Sequence, residues 1–166
     1  IWDIIRTGND GASLERSDKY EDAIQYYRSA INAGHKQILD HMTGEFINPV
    51  FRLRITLEKR DKDYIERAQK RIQDAAILIK KAPEQTIEPL VQAIELMSKV
   101  EKGGDEWRRR AETLLEAART NQSRMEQAAA YASESVEAID PYVSLMLLQR
   151  TKDTYPEHKC QLKQFH

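Results

Sequence analysis

The chain reads as all-α, an antiparallel helical bundle of five to six helices arranged as two tandem three-helix units. Three observations predict this. Apolar residues recur at three- and four-residue steps over long stretches, proline and glycine punctuate those stretches, and no segment alternates apolar with polar residues as a half-buried strand does. The clearest stripe is Tyr20, Ala23, Ile24, Tyr27, Ala30, Ile31 and Gly34, in SDKYEDAIQYYRSAINAG. Alanines let a neighbouring helix approach closely while the tyrosines fill the flanks.

Taken in order, residues 1–16 predict a frayed or broken first helix. Trp2, Ile5 and Ala12 share a face, but Gly8 and Gly11 each cost a helix about 1 kcal/mol relative to alanine. The second helix starts at an Asp18 cap, with Glu21 placed to reach back toward it. Its stripe continues through Ile38 and Met42 to Phe46, with bends expected at Gly34 or Gly44. Asn48-Pro49 is a cap followed by proline, which suits a first helical position because the missing amide would be unpaired there anyway. From Pro49 a helix is expected to about Lys81, with Val50, Phe51, Leu53 and Leu57 as one apolar section. Ile65, Ala68, Ile72, Ala75, Ala76 and Ile79 form the other, and the all-charged EKRDKD between them reads as a solvated segment or a local break.

Pro83 closes that element and Thr86 is expected to cap the next, with Pro89 tolerated in the first turn. Its buried face is Leu90, Ala93, Ile94, Met97 and Val100, and Gly103-Gly104 end it. Asp105 is expected to cap the longest stripe, Trp107, Ala111, Leu114, Ala118, Asn121, Met125, Ala128, Ala132, Ser135 and Ile139. Such spacing belongs to a long helix packed nearly antiparallel in a bundle. Asn121 is either a buried polar group that sets register or a break. Asp140-Pro141 repeats the cap-then-proline signal, and a last helix carrying Leu145, Met146 and Leu148 runs to about Tyr155. The expected division is 1–82 and 84–155, with 156–166 as a flexible tail.

The 166 residues are 40% hydrophobic and 32% charged, with a formal net charge of −1. This balance argues against a strongly basic nucleic-acid binder. No apolar run approaches the ~20 residues a membrane span needs. A single cysteine, Cys160, excludes an intramolecular disulfide and suits a reducing compartment, read as cytoplasmic. A chain opening on Ile1 reads as a piece of a longer protein.

Nothing in the sequence assembles a catalytic or metal constellation. His35 and His41 lie about 120° apart on a helix, and His41 with Glu45 lacks the second pair a di-iron bundle requires. Cys160 has only His158 and Lys159 beside it. Arg108, Arg109 and Arg110 are flanked by Glu106 and Glu112, and the basic residues of 52–62 are diluted by Glu58, Asp61 and Asp63. Both clusters read as solvated helix faces. No enzyme, cofactor or metal is therefore expected.

The segment YEDAIQYYRSAI resembles the helical signature shared by tetratricopeptide repeats and MIT domains. Gly11, Ala23, Tyr27 and Ala30 fall on repeat-like positions, but Asp10 and His35 depart from that pattern and no 34-residue repeat follows. DYIERAQKRIQDAAIL, residues 63–78, resembles the third MIT helix, including the Arg67-Ala68 pair, and WRRRAETLLEAA is similar enough to suggest a diverged second copy. The MIT resemblance implies a partner groove beside that helix, with Tyr64, Arg67, Arg71 and Asp74 exposed along it; Tyr26, off the main stripe, is a further contact candidate. It also implies ESCRT- or autophagy-type membrane trafficking. The expected function is thus a non-enzymatic scaffold or adaptor that binds a helical or extended peptide motif. The alternative is a structural bundle that homo-oligomerises through the 105–139 helix.

Overall fold

In a computed structural model, residues 10–11, 13–14, 19–33 and 48–157 are described. They form α1 (Tyr20–Ala33), α2 (Pro49–Leu78), α3 (Glu84–Ser98), α4 (Asp105–Glu137) and α5 (Pro141–Thr154), with no strand among them. The chain is an all-α helical bundle. The expectations for Trp2, Ile5 and Ala12, for the Asp18 cap, for 34–47 and for the tail from residue 158 lie outside the described residues.

Two compact units are present, Ile1–Glu66 with Lys99–Gly103, and Arg67–Ser98 with Gly104–His166. The boundary falls inside α2 rather than at the expected 82–84 seam. The reason is visible at the end of α2, whose last carbonyls are orphaned by helix geometry. The Asn121 side-chain amide of α4 donates to the Ile79 carbonyl at 3.1 Å, and the Tyr155 hydroxyl donates to that of Lys80. Residues 79–82 are thereby tied into the second unit.

In the first unit the middle of the α1 stripe buries as its spacing predicts, with Ala23, Ile24, Tyr27 and Ala30 all at 1% exposure or less, while Tyr20 and Ile31 are half-buried. Gly11 is also buried, in helical backbone, and a Cβ there would lie 2.9 Å from the Tyr27 ring. Glycine permits that close approach, which outweighs its helix cost. The first half of α2 departs from expectation. Val50 is exposed, while Phe51, Leu53 and Leu57 are only half-buried. The buried positions are instead Pro49, Thr56, Arg60 and Asp61, with the Thr56 hydroxyl satisfied by the Arg52 carbonyl at 2.8 Å.

Of the second expected stripe, Ala68, Ile72 and Ala75 of α2 and Ile79 just after it are buried, while Ile65 and Ala76 are half-buried. The helix α3 starts earlier than the Thr86 cap. Thr86 is buried within it, its hydroxyl donating to the Pro83 carbonyl at 2.7 Å. Pro89 consequently lies inside the helix, past its first turn. This helix stops at Ser98, which places Val100 outside it. Gly103 and Gly104 then adopt φ of 83° and 85°. Gly104, not Asp105, is the residue before α4, and Asp105 with Glu106 supplies negative charge to its first turn.

The central helix α4 packs on α3 and on α5. It is unbroken through Asn121, which excludes a break there; the Asn121 side chain is half-buried. Ala111, Leu115, Ala118, Ala128 and Ser135 are its buried positions. Leu115 replaces Leu114, which is half-buried, and Ile139 lies beyond the helix at full exposure. The Ser144 hydroxyl reaches the Ser135 carbonyl near the turn, while Tyr155 and Asn121 reach adjacent carbonyls at the far end. Helices α4 and α5 therefore run antiparallel. Both proline-led starts form as predicted: Asn48 Oδ1 accepts from the Val50 amide at 2.9 Å, and Asp140 Oδ1 from the Tyr142 amide at 2.8 Å.

Candidate functional site

The segment EKRDKD is neither solvated throughout nor broken. Arg60 and Asp61 are 4% and 7% exposed, and both carry charge in the interior of the first unit. Burying a charge is costly unless it is paired and hydrogen-bonded. Asp61 Oδ1 accepts from Arg60 Nε at 3.1 Å and from its terminal nitrogen at 2.8 Å. Asp61 Oδ2 accepts from the backbone amides of Glu101 and Lys102 at 3.0 and 3.2 Å. Arg60 further lies 3.6 Å from Glu21 and 3.7 Å from Glu101. Three carboxylates thus surround one guanidinium, and the ensemble clamps residues 99–103 to α2. Its partners are all internal, so this cluster builds structure.

The residues carried by the MIT resemblance are placed as follows. Tyr26 is exposed, at 42%. Tyr64 is half-buried: its hydroxyl donates to Glu21 Oε1 at 3.3 Å, and the Arg60 guanidinium lies 6.0 Å from its ring centre. Burial first, then the Glu21 charge and hydrogen bond, push the Tyr64 phenol above the usual tyrosine range. Arg67 and Asp74 are exposed, whereas Arg71 is half-buried. Exposure of all four α2 positions is therefore not what the helix presents. Tyr26 and Tyr64 belong to the first unit, and Arg67, Arg71 and Asp74 to the second.

Arg108 pairs with Glu112 at 3.1 Å and Arg110 stacks over Trp107 at 5.3 Å, so much of the arginine cluster is engaged along its own helix. Among the described residues, no group of three or more His, Cys, Asp or Glu could hold a metal ion, and no helix is long and apolar enough to cross a membrane.

The feature that sequence reasoning missed is the outward face of α5. Tyr142, Val143, Leu145 and Met146 are exposed, Tyr142 at 77% and Leu145 at 65%. Ile139, in the preceding turn, and Val136, at the end of α4, are exposed with them. The inward face of α5 uses Thr151, Leu147 and Leu148, and Thr151 is satisfied by the Leu147 carbonyl at 3.0 Å. A signal was available: apolar residues occupy six of the eight positions from Tyr142 to Gln149 and so surround the helix, more than one buried face can use.

No family model, curated protein or solved structure matches this chain. The surface of α5 must accordingly be read from its own chemistry. Its exposed apolar side chains gather at one end of a helical hairpin and are rimmed by charge.

Proposed function

We propose that this chain is a non-enzymatic helical interaction module, and that its contact surface is the outward face of α5, which docks a helix of another protein chain. The exposure of Leu145 and Met146, flanked by Tyr142 and Ile139, carries this reading. Leaving these side chains in water forgoes roughly 1.5–3 kcal/mol for each large one that a partner would bury. A helix laid along α5 would meet side chains at i, i+3 and i+4, the spacing by which helices engage one another. The MIT-like pattern of residues 17–34 and 63–78 supports the same class of role, as an adaptor in ESCRT- or autophagy-type trafficking in the cytoplasm.

The alternative route, oligomerisation through the 105–139 stripe, is disfavoured. Ala111, Leu115, Ala118 and Ala128 are already buried in their own unit. A photo-crosslinking amino acid placed at Leu145, with one at exposed Glu116 as control, tests the reading in the native cell. A discrete adduct from position 145 and none from 116 is the expected result. Equal yields from both, or none from 145, would remove α5 as the docking face.

A further inference from the structure

We draw no further inference here: the strongest candidate, the exposed apolar face of α5 with Tyr142, Val143, Leu145 and Met146, belongs to the surface already described, its C-terminal charges Arg150, Lys152, Asp153 and Glu157 cancel, and nothing in the structure shows what covers it.

Discussion

Asp61 holds four hydrogen bonds with two oxygens, two from the Arg60 side chain and two from backbone amides forty residues later in the chain. Removing it leaves the Arg60 guanidinium buried with only the more distant Glu21 and Glu101. Asp61→Ala is accordingly expected to cost about 3–5 kcal/mol, the range for breaking one side of a buried pair, measured by urea unfolding. Tyr155 illustrates the same economy with a neutral group. Its hydroxyl serves the Lys80 carbonyl, and burial, then the charges of Glu157 and Glu84, raise its phenol above the ordinary tyrosine value. A group that holds its proton more tightly when folded adds nothing to pH dependence below the unfolded value near 10, where both states are protonated. Above it the unfolded state ionises first, so stability falls as pH rises toward the folded value. Wild-type unfolding free energy should therefore drop as pH rises above about 10, and Tyr155→Phe, already weaker by about 1 kcal/mol, should show a shallower drop. Gly11 adds a steric case. Gly11→Ala gains helix propensity but forces the buried Tyr27 ring to move, so a net loss of roughly 1 kcal/mol is expected.

At the scale of elements, starts with a side-chain cap were legible and starts without one were not. Asn48 and Asp140 both accept the amide two residues on, each followed by proline. Asp140→Ala should cost about 1 kcal/mol and Asp140→Asn close to nothing, since asparagine caps as well as aspartate does; thermal melts of the two variants check this. The starts of α3 and α4 differ from expectation although Thr86 and Asp105 have the chemistry of caps: Thr86 lies inside its helix, and Asp105 is the first helical residue, with Gly104 at the cap position. A left-handed Gly104 and the close of the Pro83 link decide those boundaries. In α2, periodicity found the alanine-isoleucine face of its second half. It failed in the first half because Thr56, Arg60 and Asp61 are buried by virtue of their partners, and hydrophobicity does not report partners.

For the whole molecule, near-zero net charge and an uncovered apolar face act together. A formal charge of −1 gives little electrostatic repulsion between copies near neutral pH. Leu145→Glu with Met146→Glu should raise the solubility limit several-fold at pH 6.5, read by polyethylene glycol precipitation, with a smaller gain at pH 8.5. By itself the sequence determined that the chain is all-α, where proline and capping residues start two of its helices, and which faces of α1, of the second half of α2 and of α3 turn inward. These follow from local rules: a 3.6-residue period, a missing amide, a side-chain oxygen beside a free backbone donor. Tertiary structure alone decided that Arg60 and Asp61 lie inside, that Tyr64 is held by Glu21, that the two units divide within α2, and that the apolar face of α5 points outward. Each of these depends on groups far apart in the chain, and a periodic pattern records which side chains share a face but not what, if anything, covers it.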